Sequence, residues 1–282
     1  MSAPEPLRRS SRPRVRIPGP LVDGRWLADH LADVRVVDVR WYLDGRSGKA
    51  AYLAEHIPGA VWLDIDAELS EPASPAAGRH PLPTPQRFAA ALGRAGIAAG
   101  QPVVAYDDAG GSVAARLWWL LHVLGEPAAV LDGGIATWPG RLSTELPTVT
   151  EVARSPRPWP PGRFASADEV AASAGVVLDA RTELRYSSGD PALDPRPGHI
   201  PGARSMPWAG NLDSDGRFLP PDSLRQRYAD VGVGPAIVYC GSGVTACHDL
   251  LALAIAGVDD SVLYPGSWSQ WGADACRPAE TG

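Results

Sequence analysis

The sequence has almost no lysine, few cysteines and no long apolar run. Lys49 is the only lysine among 26 basic residues, and the formal net charge is −6. This mildly acidic balance does not favour a nucleic-acid-binding protein, because such proteins usually carry a basic face. No apolar run approaches the roughly 20 residues that a membrane-spanning helix needs. The composition therefore predicts neither a nucleic-acid partner nor a membrane partner.

Cysteine is also scarce, and the positions of the cysteines predict neither a disulfide framework nor a structural metal site. The three cysteines, Cys240, Cys247 and Cys276, are odd in number and widely spaced. This distribution disfavours a disulfide framework and fits a reducing cytoplasm. No CxxC pair and no cluster of histidine and cysteine has the spacing of a structural metal site, so no metal is predicted.

The chain repeats itself once. Four blocks of the first half recur in the same order in the second, with altered spacing. The paired blocks begin at Val36 and Val177, Glu55 and Gly198, Val103 and Ala236, and Ala129 and Ser261. A repeat of this length indicates a duplicated domain and not a short-period solenoid.

The composition between and around the repeats predicts the domain boundaries. Residues 1–20 are rich in Arg, Pro and Ser without a following apolar core, so we expect a disordered leader and not a secretory signal. Residues 21–144 form the first predicted domain and residues 165–282 the second. The proline-rich stretch 145–164 is the predicted linker, because proline disfavours regular strand pairing and stiffens a connection.

Within each half, short β-branched runs alternate with helical patterns. GVVLDA, AIVYC and SVLY in the second half are typical of buried strands. Ser166 and Glu169 form a capping-box pattern, and Thr84-Pro85 provides another helix start. The alternation predicts an α/β fold in which each half is a mainly parallel sheet with helices on both faces. Ligands of such folds bind at the carboxyl ends of the strands, where Cys240 lies.

The segment IVYCGSGVTAC places Cys240 between a strand and a helix. Unpaired N–H groups and the dipole at a helix N-terminus lower cysteine pKa values to roughly 3.5–7.5. Gly241 and Gly243 lack Cβ atoms, so the backbone can turn several N–H groups toward the sulfur. We therefore expect an anion cradle for a thiolate or persulfide. Cys247, inside the helix, is expected to pack in the core, and Cys276 lies in the tail without a predicted role.

The first half offers an internal comparison. Aligning Gly111 with Gly243 and Gly125 with Gly257 places Asp108 opposite Cys240. A carboxylate cannot replace a thiolate nucleophile, so the first half is predicted to be catalytically silent and to form one wall of the site.

These motifs together resemble a known family. DVR, HIPGA and LDGG, followed by DAR, GHIPGA and CGSGVTA, are similar to the tandem-domain rhodaneses, the thiosulfate and 3-mercaptopyruvate sulfurtransferases. The resemblance extends from about Val22 to Trp271 and implies two tandem rhodanese-like α/β domains with the active cysteine in the second. It implies that Cys240 takes sulfane sulfur from a small-molecule donor as a persulfide. The cradle is then formed by Gly241, Ser242, Gly243, Val244 and Thr245.

The resemblance also bears on the donor. Thiosulfate-selective members tend to carry basic residues directly after the cysteine, whereas Gly241 and Ser242 match the mercaptopyruvate type. An α-keto acid needs its carboxylate clamped, and the planar arginine fork pairs with a carboxylate through two hydrogen bonds. By resemblance, Arg185 is one clamp residue and Arg196 is a candidate for the second.

A proton relay is likewise implied by the resemblance. It consists of Ser242 with His56 and Asp44 from the first domain, and it would protonate the pyruvate enolate left after carbon–sulfur cleavage. The alternative for His56 is a structural role at the turn before Pro58, because His199 occupies the same place in the second half.

Three other functions are considered. A cysteine phosphatase on a related fold needs an arginine six residues after the nucleophile, where this chain has Ala246. A non-catalytic persulfide carrier and a thiosulfate:cyanide sulfurtransferase stay open. The preferred hypothesis is a cytoplasmic 3-mercaptopyruvate sulfurtransferase that needs no cofactor. Its acceptor would be thioredoxin, a small thiol or cyanide.

Overall fold

Two parallel sheets, one from each half of the chain, form the framework of the fold. The computed structural model describes residues 15–229 and 236–282. The strands of the first sheet are β1 Leu21–Val22, β2 Arg35–Asp38, β3 Val61–Trp62, β4 Val103–Tyr106 and β5 Ala128–Leu131, in the order β1-β5-β4-β2-β3. Those of the second are β6 Val177–Asp179, β7 Arg204–Ser205, β8 Ile237–Tyr239 and β9 Val262–Leu263, in the order β7-β6-β8-β9. Neighbouring strands pair in parallel, which confirms the predicted sheet type.

Helices connect the strands, and their starts follow the capping signals in the sequence. The helices of the first half are α1 Gly24–Asp29, α2 Gly48–Ala54, α3 Pro85–Arg94 and α4 Ala114–His122. Those of the second are α5 Ala167–Ala171, α6 Glu183–Ser187, α7 Pro221–Arg227, α8 Ala246–Ile255 and α9 Ser267–Trp271. Ser166 and Glu169 form the predicted capping box, and Thr84 accepts the N–H of Arg87 at the start of α3. No helix in the ranges that the structure describes is long and apolar enough to cross a membrane.

The internal repeat of the sequence is a repeat of strand order. β3, β2, β4 and β5 of the first sheet correspond to β7, β6, β8 and β9 of the second. The first sheet has β1 in addition, beside β5. In the second half, Phe164 forms a single parallel bridge with Leu263 at the matching edge.

The repeated DVR and DAR motifs are structural. In each, the arginine folds back onto the buried aspartate two residues earlier, with Nη2–Oδ2 distances of 2.6 Å for Arg40–Asp38 and for Arg181–Asp179. Each guanidinium also donates to a backbone carbonyl just before the following HIPG turn. The motif therefore ties a strand end to that turn in both halves.

The two sheets share a core. Helices α4 and α8 pack against each other, and their apolar side chains belong to one cluster that includes Leu117 and Leu121 from the first half and Leu250 and Leu251 from the second. This contact fixes the carboxyl end of β8 against the first half of the chain.

The leader and the linker differ in how they meet the domains. Val15 and Ile17 pack on the first domain, so the chain is ordered before the predicted boundary at residue 20. Residues 1–14 of the predicted leader lie outside the described residues. Residues 145–164 contain neither helix nor strand. The indole of Trp159 in this stretch donates to the carbonyl of Pro83, which ties it to the first domain.

Candidate active site

Cys240 follows β8 directly and begins the loop that leads into α8. Its side chain is 1% exposed, and its Sγ accepts the N–H of Gly243 at 3.1 Å and that of Ser242 at 3.5 Å. Gly243 has a φ of +79°, a conformation that residues with a Cβ rarely adopt. The loop therefore curls around the sulfur atom, as expected for an anion cradle.

The start of α9 holds the same loop from the other side. The N–H groups of Trp268 and Ser269 donate to the carbonyls of Cys240 and Gly241, each at 2.9 Å. The hydroxyl of Ser267 accepts the N–H of Cys240 at 3.1 Å. With its backbone carbonyls bonded outward, the loop leaves its N–H groups available to the sulfur.

The first domain contains a matching loop with a different central residue. Tyr106 pairs with Asp38 in the first sheet as Tyr239 pairs with Asp179 in the second, so Asp107 is the counterpart of Cys240. The sequence alignment that selected Asp108 is wrong by one residue. The first loop takes one residue more to reach its helix, and the glycines therefore align out of register with the strands.

The side chain of Asp107 shows what this type of loop binds. Its carboxylate accepts four backbone N–H groups at 2.8–2.9 Å, from Ala109, Gly111, Val113 and Ala114. In the first domain the loop is thus filled by the carboxyl group of its own residue, whose pKa is raised by burial. In the second domain the Sγ atom of Cys240 takes that position. Unlike a carboxylate, a cysteine sulfur can bind and release a second sulfur atom.

A cavity of about 540 Å³ opens over Cys240 between the two domains. The predicted residues that line it are Asp44, Arg185, Cys240, Gly241, Ser242, Val244 and Thr245. The first domain also supplies aromatic and basic side chains, among them Trp41, Tyr42 and Arg79. The first half of the chain therefore forms one wall of the site.

Arg185 reaches this cavity from α6 and is held by a carboxylate. Its Nε and Nη2 donate to the two oxygens of Asp194, at 3.0 and 2.5 Å. Burial raises the pKa of Asp194, but the hydrogen bond and charge of Arg185 outweigh it, so the pKa lies below its usual value. Asp194 thus stays ionised and orients the guanidinium. Sequence analysis missed Asp194, which belongs to no recognised motif.

A second guanidinium, that of Arg79, lies beside Arg185 over the loop. Sequence analysis missed this residue. If Gly241 had a Cβ, that atom would lie 2.7 Å from Nη2 of Arg185 and 2.7 Å from Nη2 of Arg79. The two cations therefore converge beside Cys240. Arg79 lies about 160 residues away in sequence, so only the tertiary structure reveals this meeting.

Arg196 does not take part in the cavity. Its Nη2 donates to the carbonyl of Arg277 at 2.6 Å, and its guanidinium lies 5.8 Å from the ring of Trp268. The carbonyl of Arg196 accepts the indole N–H of the same tryptophan. The structure thus corrects the prediction that Arg196 is the second clamp residue, because its side chain is committed to packing the C-terminal tail.

The predicted proton relay is not assembled. His56 is fully buried, and its ring contacts the carbonyls of Tyr52 at 2.8 Å and Glu145 at 3.1 Å, away from the cavity lining. His199 makes the equivalent contact with the carbonyl of Tyr186, and each histidine stacks on the tyrosine that it contacts. The matching geometry in both halves assigns His56 a structural role at the HIPG turn.

The other two members of the relay lie in the cavity but apart from His56. Asp44 is more than half exposed and pairs with Arg46, whose hydrogen bonds hold the pKa of Asp44 below its usual value. The hydroxyl of Ser242 has no hydrogen-bond partner among residues 15–229 and 236–282. Of the three predicted relay residues, Ser242 is thus the one that lies beside Cys240.

Two buried side chains, those of Arg116 and Cys247, contact the backbone of the loop. Arg116, on α4, is fully buried, and its Nη1 donates to the carbonyl of Gly243 at 3.0 Å. Cys247 also donates to that carbonyl, and burial raises the pKa of its thiol to about 12. Cys247 is therefore an inert packing residue, as expected, and Cys276 is exposed in the tail.

The two loop glycines provide the first testable prediction. The atoms nearest to a Cβ on Gly241 would be the guanidinium ends of Arg185 and Arg79, whereas one on Gly243 would lie 2.5 Å from the backbone oxygen of Pro265, at a positive φ. We expect Gly241→Ala to leave the melting temperature nearly unchanged and to lower kcat/KM for an anionic donor by about 10-fold. We expect Gly243→Ala to lower the free energy of unfolding by about 2 kcal/mol.

Thermal denaturation and steady-state kinetics on both variants check this contrast. A Gly241→Ala variant that melts as early as Gly243→Ala would show that the arginines cannot move away. Unchanged donor kinetics in Gly241→Ala would show that the two guanidinium groups are not used by the donor.

Comparisons with known proteins agree with this architecture. The family model described as a rhodanese-like domain matches twice, at residues 23–140 and 166–274. A Pseudomonas aeruginosa protein named as a 3-mercaptopyruvate sulfurtransferase is 41% identical over 280 residues, which cover 93% of this chain and 98% of that protein. A Mycobacterium tuberculosis protein named as a thiosulfate sulfurtransferase is 39% identical, covering 88% of this chain and 91% of its own length.

A solved structure gives the same result in three dimensions. The 3-mercaptopyruvate sulfurtransferase from Leishmania major superimposes with a TM-score of 0.76 at 31% identity, over 90% of this chain and 74% of that one.

Proposed function

The chain belongs to the rhodanese family, with two rhodanese-like domains in tandem, and on that premise we propose that it moves sulfur from 3-mercaptopyruvate to a thiol acceptor through a persulfide on Cys240. The observation that carries the proposal is the meeting of Cys240, within a loop of inward N–H groups, with Arg185 in one interdomain cavity. The loop suits a sulfur anion, and the arginine suits a donor carboxylate.

The reaction divides into two transfers. The thiolate of Cys240 attacks the sulfur of mercaptopyruvate, an S–S bond forms, and the C–S bond breaks. The bonding pair leaves on carbon as the enolate of pyruvate, and the proton of the donor thiol ends on that carbon. The hydroxyl of Ser242 faces the cavity and can pass this proton. The acceptor thiol then takes the outer sulfur as its own persulfide and releases Cys240 as a thiolate.

The charge around the cavity supports an α-keto acid as the donor. Two guanidinium groups lie beside Gly241, so the site is more basic than the neutral loop sequence suggests. Asp194 pairs with Arg185, and the Cys240 thiolate offsets the charge of the other arginine, so no surplus positive charge is left for a dianionic donor. A monoanionic α-keto acid, whose carboxylate can pair with a guanidinium through two hydrogen bonds, suits such a site better than thiosulfate, the alternative donor, which carries two negative charges.

The acceptor and the location belong to the same proposal. A small thiol or cyanide would reach Cys240 through the cavity that this residue lines, and a protein thiol such as thioredoxin would use the same route. The three cysteines are free thiols, which supports a reducing cytoplasm as the place of action.

Replacing Arg185 with alanine tests the proposed donor. We expect the KM for mercaptopyruvate to rise about 10- to 100-fold because a charge-assisted contact with its carboxylate is lost. The KM for thiosulfate should change by less than about 3-fold, because backbone N–H groups can also hold its oxygens. Steady-state assays with each donor and cyanide as the acceptor measure both values. Equal increases for the two donors would contradict a carboxylate clamp at Arg185.

A further inference from the structure

Two exposed leucines lie at the active-site cavity, one from each domain. Leu43 is 49% exposed and Leu184 is 68% exposed, and both line the cavity over Cys240. A single exposed leucine is common on a protein surface and needs no explanation. Two of them at one catalytic cavity form a shared apolar surface, which is typical of an interaction site. We call these two leucines the rim.

The internal repeat accounts for the placement of the rim on both walls of the cavity. Each rim leucine is the third residue after the arginine of its motif, DVR in the first domain and DAR in the second. The surrounding structure differs, because Leu43 precedes α2 in a loop and Leu184 lies in the first turn of α6. The cavity lies between the domains, so corresponding positions of the repeat reach it from either side.

Leu184 does not pack in its own domain. None of the five residues of α6 is buried. Polar contacts hold this helix instead, since the hydroxyl of Thr182 accepts the N–H of Arg185 and the hydroxyl of Tyr186 donates to the carbonyl of Ala203. The exposed leucine therefore has no role in the packing of α6, and its apolar surface is available to a partner.

The charged residues next to the rim are already paired within the chain. Beside the first-domain leucine, Asp44 forms an ion pair with Arg46 at 2.9 Å. Beside the second-domain leucine, the carboxylate of Glu183 accepts the hydroxyl of Ser205. The rim therefore presents apolar surface and not an unpaired charge. A partner that fits it has to be apolar around the group that it brings to the cavity.

We propose that Leu43 and Leu184 form the docking surface for a protein acceptor, whose reactive cysteine lies on a projecting apolar segment. This inference rests on the proposed function. Cys240 is 1% exposed, so the acceptor thiol has to enter the cavity. The cavity of about 540 Å³ is in the size range of sites for drug-sized ligands, far larger than cyanide needs. An inserted segment would contact both rim leucines, whereas cyanide at Cys240 would gain nothing from them.

The transfer to such an acceptor balances without a further reagent. The acceptor thiolate attacks the outer sulfur of the Cys240 persulfide and forms a new S–S bond. The old S–S bond breaks, and its electron pair stays on the sulfur of Cys240. A second thiol of the acceptor then attacks the acceptor's own persulfide, closes a disulfide and releases hydrogen sulfide. A protein dithiol is thus oxidised by two electrons while the sulfane sulfur is reduced.

The test loads Cys240 with sulfur and measures the second-order rate constant for transfer to reduced thioredoxin and to cyanide. We expect a variant with both Leu43→Ser and Leu184→Ser to react about 10- to 30-fold more slowly with thioredoxin, because apolar contacts beside the reacting thiol are lost. Its rate with cyanide should change by less than about 2-fold. The matched control carries Leu53→Ser and Leu146→Ser, at two exposed leucines that line a different cavity, and should behave as the wild type.

The outcomes separate this inference from the function on which it rests. An unchanged rate with thioredoxin in the rim variant would overturn the docking surface. Equal losses with both acceptors would overturn it as well, because they would show that the leucines only shape the cavity. A wild type that passes sulfur to cyanide but not to thioredoxin would also contradict it. If mercaptopyruvate adds no sulfur to Cys240 by intact mass, the proposed function fails. Thiosulfate then serves to load the cysteine, and the comparison of acceptors still decides the role of the rim.

Discussion

Replacing Cys240 with serine is expected to abolish sulfur transfer from every donor. A serine hydroxyl fits the same loop and can accept the N–H of Gly243, so the fold should be retained. It cannot form a thiolate or a persulfide, and the first domain cannot substitute because its corresponding residue is Asp107. We expect the rate to fall by at least about 10⁴-fold, as for the loss of a nucleophile in other covalent enzymes.

Mass spectrometry and kinetics together check the Cys240 prediction. The wild type should gain one sulfur atom when mixed with donor in the absence of acceptor, and Cys240→Ser should gain none. Cys276→Ser removes the exposed tail cysteine and is the control, with unchanged transfer. Turnover by Cys240→Ser above the uncatalysed rate would show that the sulfur is carried elsewhere.

Replacing Arg116 with methionine should damage both stability and catalysis. The guanidinium is fully buried and donates to the carbonyl of Gly243 in the active loop. Its Nη2 is shared among the carbonyls of His80, Leu69 and Pro81, at 3.2–3.4 Å. Methionine fills the apolar part of the space but leaves these carbonyls without a donor. We expect the free energy of unfolding to fall by about 3 kcal/mol.

The catalytic part of the Arg116 prediction has its own readout. Arg116 does not line the cavity, so it acts on the reaction by positioning the loop. At a temperature where the variant remains folded, kcat for mercaptopyruvate should fall by about 10- to 100-fold while its KM changes little. Arg116→Lys should keep part of the stability and of kcat. A destabilised variant with unchanged kcat would limit Arg116 to a structural role.

Much of the fold could be predicted because its signals are local or repeated. Strand patterns and capping residues lie within a few positions of one another, as at Ser166 and Thr84. The duplicated blocks indicate, from the sequence alone, two domains of the same architecture. The loop at Cys240 was recognisable for the same reason, since the strand, the glycines and the helix are adjacent in the chain.

The features of the site that could not be predicted depend on contacts between residues far apart in the sequence, or on the register in which the two domains align. Arg79 and Arg116 act on a loop that lies over 100 residues later in the sequence, and no local pattern marks them. Arg196 lies in a segment near the site, but its side chain turns toward the tail. Asp108 was selected because the glycines align, although the strands align one residue earlier.

His56 shows how a repeated motif can mislead. The HIPG turn recurs because each half needs a histidine to join a helix end to the turn, as the equivalent contacts of His56 and His199 show. A residue that makes the same contacts in both domains is therefore better explained by folding than by chemistry. Arg185 has the opposite property, because the matching position of the first domain, four residues after the arginine of DVR, is Asp44.

The most direct test of the account is a comparison of donors on the purified wild-type protein. Rates of sulfur transfer to cyanide are measured with mercaptopyruvate and with thiosulfate, and intact mass is recorded after each donor is added without acceptor. The account predicts a large preference for mercaptopyruvate, release of pyruvate and a gain of one sulfur atom on Cys240. A preference for thiosulfate, or a stable persulfide that is never passed on, would contradict it.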